Sequence, residues 1–155
     1  MKKFELTNEF ITNMFGTKLF RIRALVKFGD VEAGELGGYV EKESNLGHDD
    51  NAWVYDNAWV YGNARVYGDA QVSGDARVYD NAWVYGDALV YGNARVYGNA
   101  RVYGNAWVYG NAWVYGNAWV YGNALVCSDE DYAYAHGFGS VNRTTTFFRL
   151  KDGGV

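Results

Sequence analysis

Valine returns every sixth residue from Val54 to Val126, thirteen times without a slip, and an alanine stands two places before each one, from Ala52 to Ala124. Between residues 51 and 128 the chain reads Asn-Ala-Xaa-Val-Tyr-Gly with few changes. A helix brings its apolar positions round every ~3.6 residues, so a period of six is wrong for one. It suits a short strand followed by a corner. Successive strand residues point to opposite faces, so in Trp-Val-Tyr the valine points one way and both aromatics the other. The corner is Gly-Asn, Gly-Asp or Asp-Asn, residues that accept positive φ at low cost, and alanine is small enough to turn inward beside it. Proline would remove a ladder donor in every coil, and the chain has none, where ordinary usage of about 5% predicts roughly eight.

Strands bent at each corner close into a triangular coil of three hexads. Each coil hydrogen-bonds to the next at about 4.8 Å, with valine and alanine stacked inside and aromatics outside. The register extends upstream through Val40 and Leu46, with Gly38 and Ser44 at the small position. The step from Leu46 to Val54 is eight, which places a two-residue bulge in the corner at residues 47–51. The expected fold is therefore all-β: a three-sided solenoid of about five coils, roughly 24 Å tall. Its expected parts are an N-terminal cap at 1–38, repeats at 39–128 and a C-terminal tail or strand cap at 129–155. Alternation over residues 18–28 puts Phe20, Ile22, Ala24, Val26 and Phe28 on one side of a strand that could close the first coil. Residues 144–150 are a second strand candidate, suited to the other end.

The string Val-Tyr-Gly-Asn-Ala-Arg resembles the hexapeptide repeat of left-handed parallel β-helix proteins. The flanks resemble phage and prophage members of that family. These are Leu19-Phe20-Arg21-Ile22-Arg23-Ala24-Leu25, Phe28-Gly29-Asp30-Val31 and Gly34-Glu35-Leu36-Gly37-Gly38, then Gly139-Ser140 and Thr144-Thr145-Thr146-Phe147-Phe148-Arg149. The resemblance alone implies left-handedness, because general chirality favours right-handed crossovers in about 98% of cases. It also implies a homotrimer about an axis parallel to the solenoid. The family's C-terminal module continues with another strand and a helix, whereas this sequence stops at Val155, so the resemblance carries no activity of that module over.

Net charge is −4, which offers no general attraction to DNA or to anionic lipid. No stretch approaches the roughly 18 apolar residues of a membrane span. Met1-Lys2-Lys3 is followed by no apolar run, and Cys127 is the single cysteine, so the expected location is a cytoplasm, that of the host cell if the chain is phage-encoded. Hexapeptide β-helix proteins are best known as acyltransferases that use a histidine base and acyl-coenzyme A. Here the histidines are His48, in the corner bulge beside Asp49 and Asp50, and His136, in the tail; the repeats hold none. A solvated turn residue is the simpler reading of each. No Cys/His cluster has zinc spacing and no phosphate loop is present, so no metal, cofactor or catalytic residue is expected.

The informative residues point outward. Stacking hexads by threes gives three columns for the residue before valine: Tyr39, Trp59, Arg77, Arg95, Trp113; then Asn45, Arg65, Trp83, Arg101, Trp119; then Trp53, Gln71, Leu89, Trp107, Leu125. Ladders of like side chains stabilise themselves, with added cation–π attraction where Arg meets Trp. Seventeen aromatics on the repeats nevertheless exceed what a monomer normally leaves to water, and Tyr, Trp and Arg are the residues of binding hot spots. Arg77 and Arg95 stack directly, where like charges repel. Corner aspartates such as Asp75 and Asp80 could neutralise them. The alternative is a site for an anion or nucleotide, with Trp59, Trp113, Tyr79 and Tyr97 beside the guanidiniums. The third column lacks arginine, and Ser73 and Cys127 replace its tyrosines, so Trp53, Gln71, Leu89, Trp107, Leu125, Tyr91 and Tyr109 are the expected trimer surface. The leading functional expectation is a non-catalytic phage-type binding or assembly protein, sequestering a nucleotide signal or blocking a host protein. The acyltransferase is one alternative. A carbohydrate- or ice-binding surface is another, disfavoured by the scarcity of threonine in the repeats.

Overall fold

The computed structural model describes residues 1–127 in full and, beyond them, the backbone of the strands Tyr132–Phe138 and Arg143–Leu150. The repeats form a three-sided parallel β-solenoid of about five coils, with three sheets running along its sides. In each hexad the two residues Xaa-Val pair regularly with the hexad eighteen residues on, as in Trp59↔Arg77 and Val60↔Val78. The flanking amides continue the ladder: Tyr61 N–H donates to the Val78 carbonyl at 3.0 Å and Asn63 N–H to that of Asp80 at 2.7 Å. Every repeat valine and alanine is fully buried, so the period-six reading of the interior holds from Ala52 to Val126.

The corners show why the sequence alternates glycine with aspartate there. Gly98 has φ +70°, and a Cβ on it would lie 2.9 Å from the Gly116 nitrogen. Asp80 takes the same corner one coil below at φ 59°, a conformation that aspartate tolerates better than most residues. Its carboxylate accepts the Gly98 N–H at 3.2 Å. Asparagines one place on form a ladder in which Asn63, Asn81 and Asn99 each donate to the next coil's asparagine at 3.2 Å.

A solenoid must close its first coil, and each face does so differently. On the first face, β1 (Phe4–Thr12), β2 (Lys18–Ala24) and β3 (Leu36–Val40) form an antiparallel run whose last strand pairs with Trp59–Val60. The strand expected over 18–28 ends at Ala24. Ile22 and Ala24 point inward as the alternation requires, but Leu19 is buried and Phe20 only half-buried, because the pairing with β3 shifts register between Arg21 and Arg23. On the second face the strand is reduced to a single bridge, Leu46↔Val66, and the Asn45 side-chain amide supplies the missing donors, to the carbonyls of Gly62 (3.2 Å) and Ala64 (2.8 Å). The column pattern points Asn45 outward; it is instead buried, because the chain beneath those two carbonyls is a 3-10 turn, Glu43–Asn45, whose following amides bond within the turn rather than to the coil above. On the third face, Lys3 does the same work. Its ammonium donates to the carbonyls of Asp50 (2.9 Å) and Ala52 (2.8 Å) and pairs with the Asp50 carboxylate at 3.3 Å.

At the other end, Arg143–Leu150 pairs antiparallel with Ala124–Val126 and with Tyr132–Phe138. The rest of the expected tail at 129–155, Ser128 and the side chain of His136 lie outside the described residues.

Candidate functional site

The outward columns emerge from the register. On the first face Arg77 and Arg95 are paired neighbours, yet their guanidiniums part. Arg77 lies over Trp59 at 4.1 Å and Arg95 over Trp113 at 5.1 Å. Each cation thus exchanges a like-charge neighbour for the negative face of an indole. The expected neutralisation by corner aspartates does not form. Asp80 spends its carboxylate on the Gly98 amide, and among the described residues neither arginine has a carboxylate within ion-pair distance. Beside them runs a tyrosine stack: Tyr61–Tyr79 at 5.0 Å, Tyr79–Tyr97 at 4.9 Å and Tyr97–Tyr115 at 5.4 Å, with interplanar angles of 4°, 1° and 14°. Burial, then the neighbouring phenols Tyr61 and Tyr97, push the Tyr79 hydroxyl up to about 12. It therefore remains a hydrogen-bond donor at any physiological pH. All six residues expected at a ligand site, Trp59, Arg77, Arg95, Trp113, Tyr79 and Tyr97, fall on this one face.

The second face is arranged differently. Arg101 lies between Trp83 at 4.8 Å and Trp119 at 5.4 Å, while Tyr67, Tyr85, Tyr103 and Tyr121 stack beside it. Arg65, one coil below Trp83, is exposed.

The third face corrects one expectation. Trp53, assigned to a surface between chains, is fully buried inside its own. Phe4 (6.2 Å, 73°) and Phe28 (5.2 Å, 67°) meet it edge-on, so the N-terminal segment already covers the foot of this face. Gln71, Leu89, Tyr91, Trp107, Tyr109 and Leu125 remain half-buried, with Tyr91 stacked on Tyr109 at 5.2 Å and edge-on to Trp107 at 6.4 Å.

His48 is more constrained than a solvated turn residue. It stacks on Phe4 at 4.2 Å, and its Nδ1 accepts the Lys3 N–H at 3.2 Å. That bond fixes the proton of the neutral ring on Nε2, which lies 3.7 Å from Glu43. It also forms part of a cleft that the repeat pattern does not reveal, lined by Glu43, His48, Asp49, Arg65, Tyr67 and Trp83 among others. The eight-residue step from Leu46 to Val54 is its only signal in the sequence.

Among the described residues no His, Cys, Asp or Glu cluster could hold a metal ion, and no helix is long and apolar enough to cross a membrane. A family model described as the YdcK beta solenoid repeat matches residues 58–74, 70–86, 94–110 and 106–122. The similarity is confined to the repeats, and the chain is accordingly a β-solenoid repeat protein carrying aromatic ladders. No curated protein shows a significant match to it.

Proposed function

We propose that this chain is a non-catalytic binding protein whose first face takes a small anion bearing a flat ring, a nucleotide being the fitting class. The observation that carries this is the adjacent pair Arg77 and Arg95, each laid on a tryptophan and without a carboxylate partner among the described residues. A guanidinium stacked on an indole keeps its in-plane N–H groups available for phosphate oxygens. The upper end of the aromatic row, at the exposed rings of Trp113 and Tyr115, offers stacking for a base, with the Tyr79 and Tyr97 hydroxyls alongside. His48 supports the non-catalytic reading, since its Nδ1 lone pair is engaged by the backbone and its Nε2 is a donor rather than a base. The resemblance of the flanks to phage proteins supports a counter-defence setting, in the cytoplasm of an infected host, where sequestering a nucleotide signal or blocking a host protein is useful. Assembly into a homotrimer rests on the resemblance of the repeats to left-handed β-helix proteins and on the arginine-free third face.

The test is calorimetric titration with a panel of mononucleotides and cyclic dinucleotides, using inorganic phosphate as the control. Arg77→Ala with Arg95→Ala should weaken binding by roughly tenfold to a hundredfold for each charge-assisted hydrogen bond removed. Absence of binding across the panel, or binding unchanged in the double variant, refutes the assignment.

A further inference from the structure

We propose a second binding site, in the cleft between the corner bulge at residues 47–51 and the foot of the second face, for a sugar that carries a carboxylate. The cleft has a volume of about 410 Å³, within the range of small-molecule sites. It is separate from the first-face ladder and does not rest on the nucleotide reading.

Each wall has its own chemistry. Tyr67 and Trp83 meet at 6.2 Å and 77°, forming an aromatic corner against which the C–H face of a pyranose packs. Arg101 covers Trp83 from the coil above at 4.8 Å, which pins the indole in place. Arg65, one coil below Trp83, differs from the other tryptophan-flanked arginines in lying over no indole, and like them it has no carboxylate partner among the described residues. Of the two acids lining the cleft, Glu43 pairs with Lys2 at 2.6 Å and lies 3.7 Å from His48. An exposed guanidinium that has no ion-pair partner among the described residues is a carboxylate receptor. His48 contributes an N–H from Nε2, its orientation set by the Lys3 amide and the Phe4 ring.

Glu43 and Asp49 decide the ligand class. Two carboxylates lining a cleft that holds one guanidinium disfavour a polyphosphate, and a flat aromatic acid would leave both unused. A sugar acid uses every wall: carboxylate on Arg65, ring face on Trp83 and Tyr67, and hydroxyls donating to Glu43 and Asp49. The cleft opens to solvent, so the acid can be free or the end of a glycan.

The experiment titrates the full 155-residue chain, observed by ligand-detected NMR, with D-glucuronate, with a disaccharide ending in glucuronate, and with D-glucose and benzoate as controls. Glucuronate should bind and glucose and benzoate should not. Arg65→Ala should weaken binding by roughly tenfold to a hundredfold, and Trp83→Leu comparably, while Arg77→Ala on the first face leaves it unchanged. Arg65 is exposed, so its variant keeps the fold, and an unchanged melting curve verifies this. Tighter binding of the disaccharide would identify a glycan end as the source, and equal binding a free sugar acid; both support the site. No binding of either acid, equal binding of glucose, or indifference to Arg65→Ala overturns it.

Discussion

Lys3 is a charged residue only 3% exposed, and the first coil's third face depends on it. Lys3→Met keeps the aliphatic length that packs beside Phe28 but removes the donor to the carbonyls of Asp50 and Ala52. The Asp50 carboxylate keeps other partners, the N–H groups of Gly68 at 2.7 Å and Ala52 at 3.3 Å, so the loss falls on the two carbonyls. Hydrogen bonds to a charged group contribute about 1.5–3 kcal/mol each, which gives a cost of about 3–6 kcal/mol for the two. In a domain of this size each kcal/mol shifts the melting temperature by roughly 2–4 °C, so Lys3→Met should melt roughly 10 °C lower. Lys2→Met is the control, because Lys2 pairs with Glu43 while half its side chain is exposed, and such pairs contribute about 0–1 kcal/mol. The pH dependence supplies a second reading. Burial, its largest cause, lowers the Lys3 pKa below 10.5 despite the opposing Asp50 charge. Above that lowered pKa the unfolded chain binds more protons than the folded one, so this residue makes stability rise as pH climbs towards 10.5; the variant should lose that rise. Thermal and urea unfolding followed by circular dichroism measure both. A Lys3→Met protein no less stable than Lys2→Met would refute the capping role.

Tyr55, Tyr61, Tyr67, Tyr79, Tyr91 and Tyr103 all hold their protons more tightly than a free phenol, with burial the first cause in each. The folded state stays protonated where the unfolded chain ionises, so their contribution is intact below about pH 10 and is lost as pH rises through their raised values, about 12 for Tyr79; tyrosinate absorbance whose whole amplitude appears near pH 10 with the fold intact would refute the packed ladder. Val84→Asp places an unpaired charge in the solenoid interior and should abolish folding, whereas Tyr85→Ser, on the outer side, should leave a cooperative transition; equal damage from the two would refute the facing. The proposed trimer predicts that Leu89→Arg with Trp107→Arg yields a folded monomer by light scattering, while arginines at Trp59 and Trp113 leave the oligomer whole. A monomeric wild type, or a trimer indifferent to the first pair, rules out the third face.

The interior is legible because it follows one rule: valine and alanine at fixed places in each hexad, repeated until the register admits no other stacking. Even the eight-residue step is visible as a break in that rule. What the repeat cannot convey is anything settled by residues far apart in sequence. Trp53 sits in the string Asn-Ala-Trp-Val-Tyr, as do Trp59 and Trp83. It is buried only because the first coil has no repeat beneath it and Phe4 and Phe28 fill the space. Strand β1 leaves no signal for the same reason: its middle is half-exposed, so no alternation marks it, and it exists through pairing with β2. The register does bring Arg77 against Arg95, but not the way their side chains part towards Trp59 and Trp113, which is a rotamer choice made against neighbours eighteen residues away. The corner cleft combines all these effects, since it needs the bulge, the N-terminal segment that fixes His48, and the second-face column at once. In a solenoid of this kind the repeated positions are committed to stacking, so recognition has to reside where the repeat is varied or broken. Both proposed sites lie at such places, one at a like-charge pair within a ladder and the other at the single corner that carries two extra residues.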